Sequence, residues 1–251
     1  MINISKYITS NPNLNSTGFC KETILPYEVK GIRTFLNELK KDAVYNFKSI
    51  EGNTIIFIFF KGECKIRSGN KIYKSSEPCI YIPRQGSDNL IQAIYSNLGF
   101  LQISLDEFPN ELSFYQPSAS NVPYFLTISQ GEKYSESIKS EKTTNRILLP
   151  DNVVRAVSIG SVQTTGPDRV EKHSHPMLEQ FFFGLVGNNC KVIADGAEAH
   201  FVEYSLLHIP LGSEHEVIVR EGFSLHYIWI DLFKTAEGIN YLKDTHLLKN
   251  V

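Results

Sequence analysis

The first 172 residues contain no histidine. All seven histidines lie at or beyond His173, at positions 173, 175, 200, 208, 215, 226 and 246. A site built on imidazole must therefore come from the C-terminal part of the chain. Cysteine is scarce as well. Cys20, Cys64, Cys79 and Cys190 form no C-x-x-C pair and are too few and too spread for a disulfide framework, so they read as buried free thiols in a reducing compartment. No apolar run reaches the ~18 residues of a membrane span, and the opening MINISKYITSNPN lacks the apolar centre of a signal peptide. The expectation is a cytoplasmic protein without membrane partners. A basic surplus is also missing. Residues 1–127 hold 13 Lys+Arg against 11 Asp+Glu, residues 128–251 hold 12 against 16, and the net charge is −2. Neither half carries the electrostatic footprint of a nucleic-acid binder. No Ser-His-Asp order, P-loop or dinucleotide glycine motif is present. Helical patterning is confined to Ile32–Leu39, one or two turns at most, and to the tail after Thr235.

What the chain does hold is short β-type segments. Thr54–Phe60 (TIIFIFF) and Glu179–Val186 (EQFFFGLV) are apolar runs rich in aromatic and β-branched residues, as expected of strands buried on both faces. Glycines separate further strand-length segments, which predicts an all-β sandwich or barrel. The pattern occurs twice. Cys64-Lys65 matches Cys190-Lys191 at an offset of 126, and Ile82-Pro83 matches Ile209-Pro210 at 127. Leu101–Asp106 matches Leu225–Asp231 with a one-residue slip. Two copies of one β unit are expected, over 1–127 and 128–251, joined through the polar stretch Gly131–Arg146.

The second copy holds the stretch HSHPMLEQ. On a strand, His173 and His175 point the same way. Pro176 then favours a turn, and Glu179 opens the next strand, where it can return beside them. His215 follows the turn Pro210-Leu211-Gly212 and can converge from a third direction. Three imidazoles and a carboxylate suit one divalent transition metal such as Fe, Mn, Ni, Co or Zn. By strand parity Phe181 and Phe183 share the face of Glu179, and Val217 shares that of His215, so these are candidates for an apolar pocket wall. Arg169 is a candidate anchor for a substrate carboxylate, the alternative being a solvated arginine at the barrel mouth. His226 is a candidate group behind the metal ligands or a core histidine, and His208 carries the same ambiguity. Tyr227 and Trp229 are expected to pack against the partner barrel.

These residues resemble a known family. Gly166-x6-His173-x-His175-x3-Glu179 followed by Gly187 looks like the first motif of the cupin superfamily, and Ser205-x4-Pro210-x-Gly212-x2-His215 looks like the second. Gly166 and Gly187 each stand one residue off the family pattern, and a serine replaces the glycine that usually opens the second motif. The resemblance covers roughly residues 155–233 and extends to the first copy through the repeat. It implies a bicupin, two antiparallel β-barrels of jelly-roll type, with His173, His175, Glu179 and His215 as metal ligands. The first copy has Lys48, Ile50, Thr54 and a residue near Asn89 or Leu90 at the corresponding places. It is expected to be a structural barrel, with an organic-ligand site as the alternative.

The family implies a metal-dependent enzyme acting on a small organic metabolite. A mononuclear Fe(II) dioxygenase is the first expectation, and an isomerase, epimerase or lyase is the alternative. A non-catalytic module that binds a sugar or other metabolite is the competing class. Monomer and homodimer are both compatible with two barrels in one chain.

Overall fold

In the computed structural model, residues 2–6, 14–106, 117–235 and Gly238 are described. The chain divides into two compact units, one of Tyr7–Gln130 with Asn152–Arg155, the other of Met1–Lys6, Gly131–Asp151 and Ala156–Val251. The secondary structure is almost entirely β, and no helix among the described residues is long and apolar enough to cross a membrane.

The strands of the first unit are β2 (Phe19–Ile24), β3 (Ile32–Leu39), β4 (Val44–Lys48), β5 (Asn53–Lys61), β6 (Cys64–Ser68), β7 (Lys71–Ser75), β8 (Cys79–Ile82), β9 (Asp88–Ala93), β10 (Leu98–Asp106) and β11 (Tyr124–Thr127). They form a large sheet in the order β11-β8-β5-β10-β3-β2 and a small one in the order β4-β9-β6-β7. The second unit takes β1 (Asn3–Lys6) from the start of the chain. It adds β12 (Glu132–Tyr134), β13 (Thr144–Leu149), β14 (Val157–Thr165), β15 (Asp168–His173), β16 (Leu178–Gly184), β17 (Asn189–Ala194), β18 (Ala197–Val202), β19 (Ser205–Ile209), β20 (His215–Val219) and β21 (Ser224–Phe233). Its sheets run β1-β19-β16-β21-β14-β13-β12 and β15-β20-β17-β18. Strand for strand, β8-β5-β10-β3-β2 repeats as β19-β16-β21-β14-β13, and β4-β9-β6-β7 repeats as β15-β20-β17-β18. All of these pairings are antiparallel. The fold is two antiparallel cupin-type barrels in one chain, and the sequence repeat is a repeat of topology.

Three local expectations come out differently. Ile32–Leu39 is a strand, not a helix, pairing residue by residue with β10 from Leu98↔Leu39 to Leu105↔Ile32. Ladder bonds on both sides outweigh a helical spacing of Ile32, Phe35, Leu36 and Leu39. The polar stretch Gly131–Arg146 is not a simple joint, because it contains β12 and the start of β13. The tail helix expected after Thr235 lies, Gly238 apart, outside the described residues.

The two interiors differ in kind. The first is filled by aromatic rings: Phe57 lies 5.1 Å from Phe47, 5.9 Å from Phe100, 6.2 Å from Tyr81 and 6.3 Å from Phe59. Tyr81 Oη donates to Asn89 Oδ1 at 2.6 Å, so these two polar groups satisfy one another. Asn89 stands 126 residues before His215, while Lys48 and Ile50 face out of the barrel. Phe57 has no solvent exposure. Its replacement by alanine opens a cavity among four rings, and Phe57→Ala is expected to lower stability by about 3–5 kcal/mol, read from urea unfolding followed in the near-UV.

Candidate metal centre

β15 and β20 pair so that His173 stands directly opposite His215, after a register irregularity between Val170 and His173. Cross-strand partners share a face, so both rings point into the second barrel. The chain then leaves the small sheet through the turn at Pro176-Met177 and enters the large sheet at Leu178. His175 lies between the two sheets. The ring centroids are 4.3 Å apart for His173 and His215, 4.9 Å for His173 and His175, and 5.6 Å for His175 and His215. One donor atom from each of the three lies within 4.8 Å of the others, a group that could hold a metal ion.

Backbone contacts set the ring orientations. His215 Nδ1 lies 3.1 Å from Ser213 O, and His173 Nδ1 lies 2.7 Å from Glu171 O. A carbonyl oxygen only accepts, so Nδ1 carries the proton in each neutral ring and Nε2 keeps its lone pair. His215 Nε2 is buried and has no hydrogen-bond partner among the described residues. A buried imidazole nitrogen without a partner is costly, and a metal ion would satisfy it, so the donors present fit the ion. Burial, with the neighbouring His173, pushes the His215 pKa down to about 4. Asp195 anchors the turn ahead of His215, accepting from Ser213 Oγ at 2.6 Å and from Glu214 N at 3.0 Å. Gly212 N also donates to His175 O at 3.1 Å, tying the two histidine segments together.

Glu179 is not brought to this group. Its Oε2 is 3.1 Å from His208 Nε2 and accepts Leu211 N at 2.9 Å. Burial raises its pKa, but the hydrogen bonds from His208 and Leu211 outweigh that and hold it below the ordinary carboxylate value. The inward positions of β16 are Gln180 and Phe182, so Phe181 and Phe183 face away with Glu179. The Phe181 ring lies tilted against His208, with centroids 5.0 Å apart. The expected parity of Phe181 and Phe183 with Glu179 holds, but that face is turned from the histidines, because the chain passes from the small sheet at His173 to the large sheet at Leu178 and alternation does not carry through the turn.

Val217 does face the interior beside His215, packed in the same core as Val170 and Phe182. Arg169 is on the outer face, half exposed, paired with Glu216 at 2.9 Å and Glu171 at 3.4 Å. It is the solvated arginine of the two alternatives. His226 also lies outside the cavity, its Nδ1 3.3 Å from Val186 O. Tyr227 and Trp229 point into their own barrel and line the cavity.

That cavity has a volume of about 30 Å³ and is lined by His173, His175, Gln180, Phe182 and Asp231, with Glu136 and Lys139 across from them. Lys139 and Glu136 form an ion pair almost closed to solvent. They are carried over the histidines by a segment that adds to β15: Glu171 N donates to Ile138 O at 2.8 Å, and Lys139 bridges to Val170. The sequence alone did not flag Gln180, Asp231, Glu136 or Lys139. Apart from the x4 spacing from His175 to Gln180, nothing in it marks them.

No protein-family model matches the sequence, and no curated protein does. Solved structures do match. A cupin 2 conserved barrel domain protein from Leptotrichia buccalis aligns over 90% of this chain and 92% of its own, with TM-score 0.59 and 16% identity. The Lactobacillus farciminis oxalate decarboxylase, in its formate complex, aligns over 92% and 86%, with TM-score 0.70 and 12% identity. The protein Ylba from E. coli aligns over 92% and 90%, with TM-score 0.69 and 13% identity.

In the metal-free protein, His215 is expected to titrate near pH 4 rather than near its ordinary 6.5. The unfolded chain then takes up this proton first, so stability falls as pH drops from about 6.5 towards 4 and rises again on return. Imidazole NMR signals followed through that range check it, and titration near 6.5 would contradict the burial argument. Taken with the repeat of strand order in both units, the structural matches show that this chain has the cupin fold.

Proposed function

We propose that the second barrel is the active site of a metal-dependent enzyme acting on a small organic metabolite, with the ion held by His173, His175 and His215. The observation that carries this is the buried, partnerless Nε2 of His215 within a three-histidine group. A divalent transition metal bound there supplies Lewis acidity, or dioxygen chemistry if it is iron.

The chain's own residues supply the rest. Phe182, Tyr227 and Trp229 keep bulk water from the cavity, which strengthens the electrostatic interactions inside it. Asp231 and Glu136 are carboxylates within the cavity wall and can accept or return a proton. Lys139, paired with Glu136, brings a cationic donor to the same wall, suited to a carboxylate or other anionic oxygen of a substrate. These proton-transfer groups favour isomerase or lyase chemistry, and the likeness to an oxalate decarboxylase agrees with a lyase acting on a small acid. Dioxygenase chemistry, the first expectation from three histidines with one glutamate, is the alternative.

Anaerobically purified protein is expected to contain, or take up on reconstitution, one equivalent of a divalent transition metal, and His215→Ala is expected to contain none. Elemental analysis beside oxygen-electrode assays separates the readings. Metal without oxygen uptake on turnover supports the isomerase or lyase, and oxygen uptake supports the dioxygenase. A well-folded wild-type protein that takes up no metal rules out both.

A further inference from the structure

We infer that the carboxamide oxygen of Gln180, not the carboxylate of Glu179, is the fourth protein donor at the three-histidine centre, and that Asp231 positions it. The inference rests on the metal reading above and goes beyond it in naming a neutral oxygen donor.

Gln180 is on the inward face of β16, nearly closed to solvent, and lines the same cavity as His173 and His175. Its Nε2 donates to Asp231 Oδ1 at 2.6 Å. The ends of the carboxamide are told apart by chemistry. A flipped group would set its oxygen against the carboxylate of Asp231 at the same distance, two acceptors in repulsion. The amide nitrogen is therefore committed to Asp231, and Oε1 is free to turn to the other side. That oxygen is buried and has no hydrogen-bond partner among the described residues. It and His215 Nε2 are thus two lone-pair atoms in one small barrel interior, each without a partner. A single cation satisfies both.

Glu179 is not available for this. Its Oε2 is held by His208 and Leu211 N on the opposite face of β16. Bringing it to the histidines would break its bonds to His208 and Leu211 N and turn the strand over.

Two chemical consequences follow. Three neutral imidazoles and a neutral amide leave the ion its full double charge, whereas a glutamate would halve it. The bond from Nε2 to the Asp231 carboxylate draws electron density towards Oε1 and makes the amide a better donor, as a carboxylate behind a ligating histidine does.

The test is anaerobic Co²⁺ titration of the full chain, followed by visible absorption and by far-UV circular dichroism for folding. Glu179→Gln is expected to bind Co²⁺ with the wild-type affinity and spectrum. Gln180→Leu should bind at least about tenfold more weakly, and Asp231→Ala about 10–100-fold more weakly, the usual effect of removing a group that orients a ligand. Gln180→Glu should retain the ion with shifted bands, since a charged oxygen then replaces a neutral one. His215→Ala separates the two levels of inference. If wild type binds Co²⁺ no better than His215→Ala, the metal centre itself fails, and this assignment fails with it. If His215 is needed but Gln180→Leu binds like wild type while Glu179→Gln loses the ion, only the fourth-donor assignment is overturned. Should Gln180→Leu not fold, Gln180→Glu decides. Bands superimposable on wild type overturn the assignment, and displaced bands support it.

Discussion

A polar atom inside a β-barrel has to find its partner inside the barrel, because water is excluded and the backbone is committed to the ladders. That constraint separates two units built on the same strand order. In the first, Asn89 and Tyr81 satisfy one another and aromatic rings take up the remaining space. In the second, the strand that carries Asn89 in its twin carries His215, and the strand that carries Phe57 carries Gln180 and Phe182. Each of the two polar residues there has one atom tied to the protein and one left over. The scaffold is shared, and the difference lies in which polar groups the matching strands carry.

The atoms left over are aimed by ordinary structural contacts. Ser213 O sets the tautomer of His215, and Asp195 fixes the turn that presents it. Asp231 fixes the rotamer of Gln180. None of these anchoring groups needs to touch a ligand, yet each decides which atom faces the cavity. The segment bearing Glu136 and Lys139 closes one side of the same space and brings opposite charges into it, held by backbone bonds to β15 rather than by packing alone.

Much of this was legible in the sequence. The repeat announced itself through Cys64-Lys65 and Cys190-Lys191, and β17 and β6 do occupy matching places. His173, His175 and His215 were legible because their residue type is confined to one half of the chain and their turns contain proline and glycine. Which face of β16 turns inward was not. Alternation is a local rule, and Pro176-Met177 lies where the chain passes from one sheet to the other, so the count cannot be continued from His175 to Glu179. Arg169 has the parity of His173 yet lies outward, because the register irregularity between Val170 and His173 breaks the alternation, and Glu216 pairs with it there. Asp231, Glu136 and Lys139 reach the cavity through long-range pairings that no local pattern marks. Ile32–Leu39 had a helical spacing and became a central strand for the same reason: partners distant in sequence decided its conformation.

The pairing of β1 with β19 has a consequence for how the protein comes into being. Asn3 is matched to His208 and Lys6 to Ser205, so β1 must find a partner made about 200 residues later in the chain. At the usual elongation rate of about 5–20 residues per second, the interval is on the order of 10–40 s. Until then the backbone groups of β1 lack their partner strand, while the first unit, made in between, can already fold. The edge of the second barrel is therefore completed by a segment that has waited while the intervening chain was made. Crowding by other nascent chains, or a chaperone that shields short exposed strands, would act on this step first.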